Sequence, residues 1–182
     1  MDERKGYEIG HVLREMRQEY WRGIEEASES RVAETRDYVV FRLGGERYGL
    51  PSAVAREVVR MPRLVPVPRV GEYIRGVVNL RGQIVAVTDL RPLFGLKGRE
   101  LPAGGRLVVV EAAGLTTALL VEMVEGIRGI EVEAVEPPTE GLAGFPREAV
   151  EGQVGGEDGL LILLNMEHIL ARPEFVVDQK GE

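Results

Sequence analysis

A chain of 182 residues with 44% apolar residues, 5% aromatics and a net charge of −7 has room for one domain or two small ones around an aliphatic core. The acidic balance argues against nucleic acid as a partner, and the absence of cysteine excludes disulfides, thiol chemistry and thiolate metal sites. No apolar run reaches the roughly 18 residues needed to span a bilayer, and Met1-Asp2-Glu3-Arg4-Lys5 leads into no apolar secretory core, so the expectation is a cytoplasmic protein without direct membrane insertion.

Residues 1–36 read as a helical extension. Ile9, Val12, Leu13, Met16, Tyr20 and Ile24 recur at three- and four-residue intervals, with Trp21 nearby, as one apolar stripe requires. Such a helix either docks on its own domain or frays in solvent, or it binds a partner, including a second copy through self-association.

From Tyr38 the period becomes two. Val39, Phe41 and Leu43 alternate with Tyr38, Val40 and Arg42, and Gly44-Gly45 marks a hairpin before Glu46–Leu50. Pro51 and Ser52 are expected to open a short helix through Val59. The prolines of Leu64-Val65-Pro66-Val67-Pro68 confine that run to an edge or a connector. Gly71–Arg75 predicts one helical turn. It feeds a hairpin with arms Gly76–Leu80 and Gln83–Thr88, and Gly82 in the turn supplies positive φ. This puts Arg81 at an exposed tip, where its guanidinium can fork onto a partner's carboxylate or carbonyls. Asp89 is placed to cap a short helix through Phe94.

Residues 95–106 read as a loop. Strands are expected at 107–112, 116–124, 127–135, 149–154 and 160–164, followed by a helix, 166–171, capped by Asn165 and stopped by Pro173. Runs such as Val108-Val109-Val110 are apolar on both faces, so their strands are covered on both sides. The strands form two clusters of about 60 residues, each marginal alone, so two small β-barrels sharing an apolar seam are expected. The domain plan is a 1–36 extension, a 37–172 core and a 173–182 tail. The core divides into about 37–95 plus the C-terminal helix, and about 106–165. No internal repeat is legible.

Catalytic chemistry has no visible carrier. His11 and His168 stand far apart without companions at ligand spacing, and the glycine pairs lack the ending of a phosphate loop. There is no Gly-x-Ser-x-Gly elbow, and Glu131 and Glu133 alternate on one expected strand as a solvated face. No catalytic, cofactor-binding or metal-binding residue is predicted.

The order of Tyr48-Gly49-Leu50-Pro51, Val54-Ala55-Arg56-Glu57-Val58, Val65-Pro66, Tyr73-Ile74-Arg75-Gly76, Asn79-Leu80-Arg81-Gly82 and Asp89-Leu90 resembles the CheW family. Gly159–Asn165 also fits. These are coupling proteins of bacterial chemotaxis, and the resemblance spans roughly residues 38–171. It implies a mainly β fold of two packed SH3-like five-stranded barrels with short helices, to which this chain adds an N-terminal amphipathic helix longer than the family's usual start. It also implies a scaffold joining the cytoplasmic tip of chemoreceptors to the regulatory domain of the histidine kinase CheA, recruited to receptor arrays. Carried over by motif, the receptor-contacting residues are Arg81 and Glu57, surrounded by Asn79, Gly82, Ala55 and Val58. Kinase contact in the family uses barrel edges. Two alternatives remain: an adaptor of a related chemosensory pathway controlling pili, gliding or a second messenger, and a small-molecule-binding barrel, which requires an apolar cavity with convergent polar groups.

Overall fold

The computed structural model describes residues 14–24, 32–139 and 146–175. Two compact units are present, Met1–Glu34 and Thr35–Glu182. In the first, residues 14–24 form helix α1, exposed along its whole length. Met16, Tyr20 and Ile24 recur every four residues on it, and the rings of Tyr20 and Trp21 meet edge to face, 6.1 Å apart at 76°. Ile9, Val12 and Leu13 of the expected stripe, and His11, lie outside the described residues.

Among the described residues the second unit holds ten strands: β1 (Thr35–Leu43), β2 (Glu46–Pro51), β3 (Ala55–Arg60), β4 (Ile74–Leu80), β5 (Gln83–Thr88), β6 (Arg106–Ala112), β7 (Leu115–Val121), β8 (Met123–Glu131), β9 (Val150–Gly156) and β10 (Gly159–Leu164). Helix α2 (Met166–Leu170) follows, with the Asn165 side chain accepting the His168 N–H. One sheet runs β8-β1-β2-β10-β9 and the other β3-β6-β7-β5-β4. Each curls shut in the same way. The chain just after β3 pairs with β4 through Val65 and Val77, and the chain after β8 pairs with β9 through Glu136 and Gln153.

Strand alternation distributes the side chains among three apolar clusters. Val78, Val85, Val87, Leu107, Val109, Ala118 and Leu120 fill the barrel built on β3–β7. Tyr38, Val40, Leu161 and Leu163 fill the other. The opposite faces of the same strands, with Val39, Phe41, Val108, Val110, Leu119, Val121, Ile162 and Leu164, meet in the largest cluster together with α2. Strands apolar on both faces are therefore explained: one face lines the strand's own barrel and the other lies in the shared seam.

Sheet membership departs from the expected halves. Residues 55–121 make one whole sheet, while the other joins 35–51 to 123–164. The 95–106 loop is an internal connection rather than a boundary, because β6 pairs with β3 and β7 with β5. The two sheets also match by topology. Reading β3-β4-β5-β6-β7 against β8-β9-β10-β1-β2 gives the same order, and the parallel pair β5–β7 corresponds to β10–β2. The repeat is circularly permuted, so a search for tandem similarity along the chain has nothing to align.

Local expectations change in four places. The helix after Pro51 is a single 3-10 turn, Ser52–Val54, followed by β3; Val58 and Val59 are β-branched, and their strand pairing with β6 prevails. Gly71–Arg75 is a turn that enters β4. Asp89 caps a set of turns rather than a helix: its carboxylate accepts the N–H of Arg91, but Gly95, at φ 66°, ends the turns one residue after Phe94. The strand break expected near 125 falls at Glu122, which accepts from the N–H groups of Gly44 and Gly45 and so clamps the β1–β2 turn; Glu131 ends β8 while Glu133 lies in the 3-10 turn Val132–Ala134.

Candidate protein-interaction site

The β4–β5 hairpin turns through Arg81 (φ 52°) and Gly82 (φ 87°), two successive left-handed residues that match the twist of the flanking strands. Gly82 takes this conformation freely, whereas Arg81 adopts it at a cost of about 1 kcal/mol. Asn79 holds the turn, its Oδ1 accepting the Gly82 N–H at 2.8 Å. Arg81 stays 83% exposed and donates from Nη2 to Glu57 Oε2 at 2.7 Å. The pair spans from the hairpin tip to β3, the opposite edge strand of the same sheet. One guanidinium bond is spent on Glu57, which leaves the other donors of Arg81 directed outward.

The structure thus brings together Arg81, Glu57, Asn79 and Gly82. Ala55 and Val58 stand elsewhere. A bulge between Ala55 and Glu57 resets the β3 register, so that Glu57 lies opposite Val109, while Ala55 and Val58 lie opposite Val110 and Val108. Cross-strand partners share a face. Glu57 therefore lies on the interior side of its barrel, whereas Ala55 packs into the seam cluster and Val58, 44% exposed, stands at the seam's border. Sequence reading missed Ile84, which is 66% exposed and paired with Asn79 beside the tip. Alternation with the buried Val85 and Val87 was a signal that could have found it.

Two buried ion clusters brace the sheets away from this tip, one at the base of the β4–β5 hairpin and one in the other barrel. Asp89, fully buried, accepts from Arg91 Nε at 2.9 Å and Nη2 at 2.8 Å, with Arg75 Nη1 at 3.4 Å. In the other barrel Glu125 accepts from Arg47 Nη2 at 2.8 Å and Arg42 Nε at 2.9 Å. Hydrogen bonds from Arg47 hold the Glu125 carboxyl below the usual carboxylate range against the opposing effect of burial. A depressed folded-state value means that this stabilisation is complete above the ordinary pKa of 4.5 and is lost as pH falls through the folded one. Glu125→Gln is accordingly expected to cost roughly 2–3 kcal/mol at pH 7, and the gap from the unaltered protein should narrow at pH 3, as read by urea unfolding at both values.

Aliphatic side chains pack inside both barrels, and a cavity of about 210 Å³ opens beside Tyr38, Ile130 and Val135 of the second. An open cleft of about 500 Å³ lies at the seam's border, lined by Tyr73, Thr88, Thr117, Leu170 and Phe175 among others. No group of His, Cys, Asp and Glu able to hold a metal ion occurs among the described residues.

Residues 37–174 match the CheW-like domain family. This chain belongs to the CheW family. Its relatives include the chemotaxis protein CheW of Treponema pallidum, 25% identical over 141 residues that cover 75% of this chain and 83% of that protein. PilI of Pseudomonas aeruginosa is 31% identical over 138 residues, 76% of each chain. The crystal structure of a CheW scaffolding protein from Thermoanaerobacter tengcongensis matches with a TM-score of 0.68 at 30% identity, over 78% of this chain and 91% of that one. The paired SH3-like barrels are thus the CheW architecture, and the Asn79–Gly82 turn lies inside the matched region. Helix α1 lies before it.

Proposed function

We propose that this CheW-family protein is a non-enzymatic scaffold that holds the regulatory domain of CheA to the cytoplasmic tip of chemoreceptors, with the Arg81–Glu57 hairpin tip as its receptor contact. The observation that carries the reading is the exposed, positioned guanidinium of Arg81, presented on a two-residue turn and steadied by Glu57 and Asn79. A guanidinium already restrained by an ion pair loses less entropy on docking than a free one. Ile84 adds apolar area beside it. Contacts of only micromolar strength, about −8 kcal/mol each, suffice when one scaffold engages two partners in an assembly.

Recruitment to membrane-bound receptors then places a protein whose described residues include no helix long and apolar enough to cross a membrane. Identity to PilI as high as 31% favours a second reading, an adaptor of the same design in a related chemosensory pathway. Sedimentation of receptor-bearing vesicles with a CheA-type kinase tests the first reading. The kinase is expected to pellet with receptors only when this protein is added. Failure to bind either component removes the proposal, while binding only the components of a parallel pathway selects the second.

A further inference from the structure

The connector between β3 and β4 carries charge that the fold leaves uncompensated. Residues 55–121, the whole of one barrel, contain ten Arg and Lys against five Asp and Glu, a net +5 in a chain of net −7. Four of those five carboxylates are already engaged: Glu57 by Arg81, Glu72 by Arg99, Asp89 by Arg91 and Arg75, and Glu111 by Arg56. Arg60, Arg63 and Arg69 remain exposed and form no ion pair among the described residues. All three fall within ten residues of one another.

The backbone between them is ordered without help from a partner. Val65 donates to and accepts from Val77 at 2.9 and 2.8 Å, and Pro66 and Pro68 restrict the φ angles that follow. Leu64 packs against the barrel interior. Its neighbours face solvent: Val65, Val67 and Val70 are 52%, 36% and 41% exposed. Gly76 allows the close approach, since a Cβ there would stand 2.4 Å from the Val65 carbonyl oxygen. An ordered strap that exposes valines beside unpaired guanidiniums can dock a partner at little further ordering cost, because folding has already met it.

We infer that the Arg60–Val70 strap is a docking surface for an acidic protein segment, one that supplies carboxylates to Arg60, Arg63 and Arg69 and apolar side chains to Val65 and Val67. Protein is favoured over nucleic acid and lipid. Three cations interleaved with valines make a short, half-apolar stripe, whereas phosphate backbones demand continuous basic faces and the rest of the chain is net acidic. The strap belongs to the β3–β4 connection, whereas Arg81 sits in the β4–β5 turn.

The test uses the full chain and a fluorescein-labelled peptide of four Glu-Glu-Leu-Ala repeats, followed by anisotropy. Binding should weaken about tenfold between 50 and 200 mM salt. The triple variant Arg60→Ser, Arg63→Ser, Arg69→Ser should lose at least about tenfold in affinity, the corresponding Lys triple should retain most of it, and Arg81→Ala should change it less than about twofold. Val65→Ser with Val67→Ser, which keeps every charge, should also weaken binding and so guards against a folding defect in the triple. Undiminished binding by the Ser triple overturns the proposal. So does tighter binding of a single-stranded oligonucleotide or of phosphatidylserine vesicles through the same arginines.

Discussion

Arg81→Glu is expected to abolish receptor-dependent control of the kinase while leaving the protein folded. The side chain is 83% exposed and sits at a turn, so its loss removes one surface ion pair and no core contact. The reversal turns an attraction to Glu57 into a repulsion and, on the proposed receptor contact, presents a carboxylate where a guanidinium docks. Receptor affinity should fall about 100-fold or more, the range seen when a central charged anchor is inverted. The melting temperature should move by less than about 3 °C. Titration against receptor tips and a thermal melt read the two quantities separately. Adding Glu57→Arg to the same chain restores an ion pair of opposite sense. It should recover the melting temperature without recovering binding, which separates recognition from structural support. Normal coupling by Arg81→Glu would remove the hairpin tip from the receptor contact.

Asp89→Ala is expected to be the most destabilising single substitution outside the apolar clusters, at about 3–5 kcal/mol. Asp89 has no exposed surface, and its two oxygens serve three donors on Arg91 and one on Arg75. Without it, the guanidinium of Arg91, itself buried, is left without its counter-charge. The damage also spreads along the chain, because Arg91 Nη2 donates to the carbonyl of Glu100 at 3.0 Å and so ties the later half of the long β5–β6 connection to its start. Asp89→Asn keeps the shape and one acceptor, so it should fall between the alanine variant and the natural protein. Urea unfolding at pH 7 should show a lower midpoint with an unchanged slope. A loss below about 1 kcal/mol would mean that the desolvation of the ion cluster cancels its attraction.

The candidate tip was legible because each part of it is local. A two-residue turn with glycine, an apolar arm on either side and a long cation at the apex fall within seven consecutive residues. The pairing of Arg81 with Glu57 was only half legible. Both residues were singled out by family likeness, but their 2.7 Å contact crosses from the hairpin to an edge strand 24 positions earlier. Ala55 and Val58 were grouped with them by the same family motif. Alternation alone turns Val58 away from Glu57, whereas Ala55 is turned away by the bulge between them, which depends on the partner strand rather than on the bulged strand's own residues. The expected helix after Pro51 fails for a related reason: four-residue spacing of Val54 and Val58 fits a helix face, yet Val58 and Val59 gain more by pairing with β6.

Period-two alternation, turn glycines and two-sided apolar runs are properties of neighbouring residues, and they alone determined that this chain forms short strands, tight hairpins and an aliphatic seam between two small β units. Which strands share a sheet was decided in three dimensions. Strand β1 finds β8 some 80 residues away, and the second barrel is assembled from both ends of the domain. Pairing of that kind rests on which buried faces fit once the chain has collapsed, and strands with the same alternation are interchangeable until that fit selects among them.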